Sequence, residues 1–169
     1  RPVTRSYLRF PHLQGDALVF VAEDDIWTAP VGGGRAYRVT NDDVPASSPR
    51  ISPDGTKVAW ASRRDGGPEV YVSALDGGGS TRLTYWGAPG GTVLGWAGPD
   101  EVIAASAAGD PTHRSWAYAI PLSGGPHRRL PVGPVSDLAL RPGLPTVIRR
   151  TALQREMAWW KRYRGGSGG

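Results

Sequence analysis

The chain repeats one phrase three times, and this constrains its fold more than any other feature. "DIWTAPVGGGRAYRVT" (25–40), "EVYVSALDGGGSTRLT" (69–84) and "WAYAIPLSGGPHRRLP" (116–131) each hold an alternating aromatic strand, a Gly-rich turn and a short Arg-bearing strand. Their glycine pairs at 33–34, 78–79 and 124–125 recur about every 45 residues. A second hairpin precedes each phrase: "YLRFPHLQGDALVFVAE" (7–23), "PRISPDGTKVAWAS" (49–62) and "TVLGWAGPDEVIAASA" (92–107). Their tight turns fall at Gly15-Asp16, Asp54-Gly55 and Pro99-Asp100. Four strands per 45 residues is the period of a β-propeller blade, so the predicted class is all-β: a partial propeller of four-stranded antiparallel blades.

The turns and strands have separate tasks. Asp16, Asp54 and Asp100 suit turns because a short carboxylate bonds back to its own backbone, while Gly55 accepts the positive φ that other residues resist. In "KVAWAS", Val58 and Trp60 point one way and Lys57, Ala59 and Ala61 the other. Small residues on inner strands allow blades to approach closely. The large aromatics Trp27, Trp60, Tyr71, Trp116 and Tyr118 are expected to fill the space between blades.

The units span about 5–40, 41–85, 86–132 and 133–164, with a Gly/Ser-rich tail at 165–169. The fourth, "VSDLALRPGLPTVIRRTAL" (135–153), starts as the others do, with "RPGLP" in place of "SPDG". "AWWKRYRG" is expected as its third strand, and the chain stops before an outer one. It also begins at Arg rather than Met, which reads as a processed or trimmed start. Gly (24) and Pro (16) approach a quarter of the residues, a share near that of low-complexity chains. They cluster between Val-, Leu- and Trp-containing runs, and seven Trp with six Tyr supply the apolar surface of a folded protein.

Several chemistries are excluded. There is no Cys, hence no disulfide, thiolate metal site or Cys nucleophile. No apolar run reaches the roughly 20 residues of a membrane helix. Charge is uneven: residues 1–100 hold 10 basic and 11 acidic side chains, 101–169 hold 10 and 4. The basic aromatic run "WWKRYRGG" (159–166) is too short a footprint for nucleic acid. His12, His113 and His127 stand apart from one another and read as surface residues. Glu23-Asp24-Asp25 and Asn41-Asp42-Asp43 lack Ca²⁺-loop spacing and read as solvated loops and turn caps. "GGSGG" lacks the helix that follows a nucleophile elbow, and the "DGGG" and "VGGG" turns join strand to strand. No catalytic residue, cofactor or metal is expected.

The phrase "ISPDGTKVAWAS…EVYVSALDGG…TRLT" resembles the blades of TolB- and tricorn-type propellers. Residues 6–62 and "REMAWWKRYRGG" are similar to the N-terminal propeller of the tricorn protease family, in a GC-rich actinobacterial idiom, and the resemblance covers essentially all of residues 5–166. The resemblance implies a cytoplasmic, self-compartmentalising serine-type protease whose first, six-bladed propeller forms a channel wall. Catalysis would lie in distant domains, and peptides or other domains of that protease would be partners. The chain is thus expected to be a non-catalytic scaffold. Its open blade faces are expected to close on a second copy, with "RPVTRS" of the mate as a strap. A TolB-like protein-interaction module and an engineered self-assembling part-propeller are the alternatives.

Overall fold

The computed structural model describes residues 7–87, 91–140 and 145–150. Among them every regular element is a strand, and within each sheet consecutive strands pair antiparallel. The first sheet runs β1 (Arg9–Gln14), β2 (Ala17–Ala22), β3 (Asp25–Pro30) and β4 (Tyr37–Arg38). The second runs β5 (Ala46–Ile51), β6 (Lys57–Ser62), β7 (Glu69–Ala74) and β8 (Thr81–Arg82). The third holds β9 (Thr92–Gly98), β10 (Glu101–Ser106), β11 (Trp116–Pro121) and β12 (Arg128–Pro134). β13 (Asp137–Ala139) and β14 (Val147–Arg149) form a two-stranded start of the fourth unit. Each four-stranded sheet keeps sequence order, which is the meander of a propeller blade. The third unit reaches Pro134, two residues beyond the expected 132. The third strand assigned to "AWWKRYRG", the "RPGLP" turn through 144, the "RPVTRS" strap and the "GGSGG" tail lie outside the described residues.

The core consists of three seams between successive sheets. The first joins Val19, Val21 and Ile26 of blade 1 to Val58, Trp60 and Tyr71 of blade 2. The second sets Ala59, Val70 and Val72 of blade 2 against Val93, Trp96, Val102 and Ala104 of blade 3. The third sets Ile103, Ala105, Ala117 and Ala119 of blade 3 against Val135 and Leu138. Period-two alternation produces this division, because Val58 and Trp60 face back while Ala59 faces forward. The inner strands β6 and β10 are buried on both faces from their second residue to their last, which explains their unbroken apolar runs.

The hairpin turn at 52–57 is fixed by polar bonds. Ser52 carbonyl accepts from Gly55 N–H at 2.9 Å, and Gly55 has φ +74°. The Asp54 carboxylate accepts from Ser52 Oγ at 2.5 Å, Thr56 Oγ1 at 2.9 Å and Thr56 N–H at 3.1 Å. These bonds hold the Asp54 carboxyl down at about pKa 2, with the Ser52 hydroxyl the largest contributor.

Trp60 is 1% exposed and Tyr71 fully buried, with ring centroids 6.1 Å apart. Trp60→Ala is expected to cost about 3–5 kcal/mol and to loosen both neighbouring blades, measured by chemical denaturation with hydrogen exchange. A Cβ on Gly55 meets nothing within 4 Å, so the cost of Gly55→Val is conformational, about 1–3 kcal/mol in the same measurement.

Candidate functional site on the propeller axis

Two buried carboxylates organise the outer edges of blades 1 and 2. Asp25 opens β3 and is 1% exposed; Glu69 opens β7 and is fully buried. Glu69 accepts from the Thr84 hydroxyl, from Trp86 N–H at 3.0 Å and from Gly87 N–H at 2.8 Å, and pairs with Arg82 Nη2 at 3.1 Å. The Thr84 hydroxyl in turn accepts from Val70 N–H at 2.9 Å. Asp25 repeats the set: it accepts from Thr40 Oγ1 at 2.7 Å and Asp42 N–H at 3.2 Å, and pairs with Arg38. Thr40 Oγ1 likewise accepts from Ile26 N–H at 3.0 Å. Each clasp ties a two-residue outer strand and the following linker to the blade. Burial alone would raise the pKa of Glu69, but the bonds from Thr84, Gly87 and Trp86 and the charge of Arg82 outweigh it and lower it.

In blade 3 the corresponding residue is Trp116. Arg129, the counterpart of Arg38 and Arg82, lies over its ring at 4.3 Å, and Pro131 replaces the threonine. The Trp116 indole N–H bonds instead to the Asp110 carboxylate.

The first strands of the four units touch in succession and enclose a groove of about 370 Å³. His12, Arg50, Trp96 and Asp137 line it, one from each of β1, β5, β9 and β13. Ile51 N–H donates to His12 Nδ1 at 3.2 Å, and Gln14 Nε2 donates to Pro53 carbonyl at 3.1 Å. Trp96 Nε1 donates to Arg50 carbonyl at 2.9 Å, while Arg50 Nε reaches Leu94 carbonyl at 3.3 Å. These bonds run across from blade to blade, so the groove's polar wall is also a joint. Burial, helped by the Arg50 charge, pushes the His12 imidazole down to about pKa 4.

The sequence-predicted residues fall in several places. Asp16, Asp54, Gly55 and Asp100 occupy hairpin turns. Trp60 and Tyr71 lie in the first seam, and Tyr118 packs at the edge of the second, with its ring 5.6 Å from Trp86. Trp27 and Trp116 are half-buried and belong to none of the three seams. Trp27 pairs across strands with Phe20, on the face of blade 1 turned away from blade 2, and its indole N–H bonds to Ala22 carbonyl at 3.1 Å. Trp116 is held at a strand end by Arg129 and Asp110.

Two expectations need correction. His12 is not a surface residue but a half-buried joint between blades, because its ring accepts the Ile51 amide proton. His127 is also half-buried, edge-on to Trp86 at 5.7 Å and 3.2 Å from Leu83 carbonyl. Asp25 is not a solvated loop carboxylate, since four donors, two from Arg38 and one each from Thr40 and Asp42, replace water around it. Among the described residues no group of three or more His, Cys, Asp or Glu side chains could hold a metal ion.

Residues 5–169 match the family described as the tricorn protease N-terminal beta propeller domain. The chain belongs to that family. It is 54% identical over 170 residues to tricorn protease homolog 1 of Streptomyces coelicolor, covering all of this chain and 16% of that protein. It is 30% identical over 171 residues to a putative tricorn-like protease N-terminal subunit of Sulfurisphaera tokodaii, covering 98% of this chain and 85% of that one. The solved tricorn protease superposes with a TM-score of 0.72 at 22% identity, over 82% of this chain and 14% of that one. A putative TolB from Agrobacterium tumefaciens gives 0.63 at 19%, over 77% and 48%. At these identities the two structures show the fold alone.

Within this tricorn-type propeller the clasps were readable from spacing. An acidic residue, Arg thirteen later and Thr fifteen later occur at Asp25/Arg38/Thr40 and again at Glu69/Arg82/Thr84. The axial groove carried no such signal, because its members come from four units and share no residue type.

Glu69→Ala leaves Arg82, the Thr84 hydroxyl and two amides without their acceptor. It is expected to cost about 3–5 kcal/mol in denaturant unfolding. The lowered pKa of Asp54 gives stability that is full above pH 4 and is lost as pH falls towards 2. Asp54→Asn should therefore flatten that part of the acid unfolding curve.

Proposed function

We propose that this propeller is a non-catalytic wall of a larger tricorn-type protease in the cytoplasm, shaping access to chemistry performed elsewhere. The observation that carries the reading is similarity along the whole chain to a protein named as a tricorn protease homolog. The buried polar side-chain atoms of the described residues support it, because each has a hydrogen-bond partner within the chain. The chain spans 16% of that relative's length, so the protease activity belongs to the proposal.

The same reading includes self-association. Phe20 and Trp27 pair across strands in blade 1 as Trp60 and Tyr71 do in blade 2. In blade 2 that pair receives the preceding blade, so the blade 1 face is built to receive another sheet. For the isolated chain, the sheet available is that of a second copy.

Fluorogenic peptides incubated with the chain should show no hydrolysis above buffer; sustained turnover would refute the non-catalytic role. Light scattering should give about twice 18.0 kDa. Trp27→Asp should shift the chain towards monomer, whereas a monomeric wild type at micromolar concentration would remove self-association from the reading.

A further inference from the structure

Blade 2 carries all three Asp-Gly steps of the chain, one in each loop between its strands: Asp54-Gly55, Asp65-Gly66 and Asp76-Gly77. Such a step is chemically special. Glycine has no side chain to keep its amide nitrogen away from the preceding carboxyl carbon. All three aspartates are exposed, so burial does not distinguish them.

Hydrogen bonding does. The Asp54 carboxylate accepts from Ser52 Oγ, Thr56 Oγ1 and Thr56 N–H. Asp65 accepts from the Tyr71 hydroxyl at 2.6 Å and pairs with Arg82 at 3.4 Å. Among the described residues Asp76 makes neither a side-chain hydrogen bond nor an ion pair. The glycine amides follow the same order. Gly55 N–H donates to Ser52 carbonyl at 2.9 Å and Gly66 N–H to Arg63 carbonyl at 3.0 Å, whereas Gly77 N–H lies 3.3 Å from Ala74 carbonyl. Gly77, Gly78 and Gly79 follow one another, and a Cβ on any of them would meet nothing within 4 Å. Nothing packed against this loop resists a change of its backbone angles.

We propose that Asp76 is a covalent modification site, at which the chain forms a succinimide and then isoaspartate. The Gly77 amide nitrogen attacks Asp76 Cγ, and an N–Cγ bond forms as the carboxyl C–O bond breaks. The departing oxygen leaves as water, carrying the amide proton. Water then opens the ring. Cleavage at Cγ restores aspartate, and cleavage at the main-chain carbonyl yields isoaspartate, so the net composition is unchanged and no other reactant is needed. The product has a free α-carboxylate and one more methylene in the main chain. It lies in a loop whose far end is held by Arg82 on Glu69. Asp54 and Asp65 are protected because their carboxyls must first leave their donors. The assignment does not depend on the propeller belonging to a protease.

The folded chain and the same chain unfolded in guanidinium chloride are incubated in parallel in heavy-oxygen water at neutral pH. Peptides are then mapped by electron-transfer mass spectrometry. Ring opening leaves one heavy oxygen on the reacted residue, and the backbone fragments separate isoaspartate from aspartate. Folding is expected to slow labelling at Asp54 and Asp65 at least about tenfold, the effect of one hydrogen bond to a charged group, and to leave Asp76 near its unfolded rate. Asp76→Glu, an exposed substitution, should remove the label from this loop, because a glutarimide closes far more slowly than a succinimide. An isoaspartate-specific methyltransferase should methylate the aged folded wild type and spare aged Asp76→Glu. Folding that slows Asp76 as much as the other two, equal labelling of all three sites in the folded chain, or methylation undiminished in Asp76→Glu overturns the proposal.

Discussion

A four-stranded antiparallel sheet with two apolar faces cannot be stable alone in water, and the other features of this chain follow from that constraint. The strands β6 and β10 have no polar face to offer solvent, so each sheet must be covered on both sides. Only another sheet of the same kind supplies a flat apolar surface of matching size. The seams therefore alternate bulky and small residues: Trp60 and Tyr71 fill the first, while Ala59 and Ala104 let backbones approach in the second. Stability in such an arrangement is shared by neighbours, and no blade has a core independent of the next.

Covering the faces does not hold the edges. The outer strands β4 and β8 contain two residues each, too few for ladder hydrogen bonds to anchor them. The buried carboxylates of Asp25 and Glu69 provide the anchor by gathering the outer arginine, the threonine hydroxyl and linker amides at one point. A carboxylate can be buried this way because it accepts several bonds at once, and each bond to an ionised group is stronger than a neutral one. Blade 3 solves the same problem differently. Its outer strand β12 is seven residues long, and the stacking of Arg129 on Trp116 replaces the ion pair.

The architecture was legible because its cause is periodic. Turn residues such as Asp54-Gly55, the alternation in "KVAWAS" and the 45-residue spacing are local patterns, and each repeats. What escaped the sequence was the meaning of single polar residues. Asp25 sits in an acidic run that looks solvated, and the spacing it shares with Glu69, an Arg thirteen and a Thr fifteen residues on, gains its meaning when the fold brings Arg38 and Thr40 back across a hairpin. His12 looks isolated because its partner, the Ile51 amide, belongs to the next unit and is backbone. Trp27 and Trp116 carry the aromatic signature of the seams, but one faces away from blade 2 and the other opens its strand. Aromatic identity marks a packing position without telling which side of the sheet will be covered.

The axis of the propeller is where these two kinds of information diverge most. The first strands must converge there for the blades to stack, whatever their side chains. The residues they turn to the groove differ from unit to unit: His12, Arg50, Trp96, which also packs in the second seam, and then Asp137. Repetition fixes the frame and leaves these positions open to variation. The backbone at the same level is bent as well, since Phe10 and Ser48 both precede a proline and both have φ +51°. In β1 and β5 the register shifts at these residues, and the strand beyond each shift carries His12 or Arg50. The bulge re-aims the following side chain relative to a regular strand. A distinct polar groove at the centre is therefore a consequence of building a wall from near-identical sheets: their faces must be alike, and their inner edges need not be.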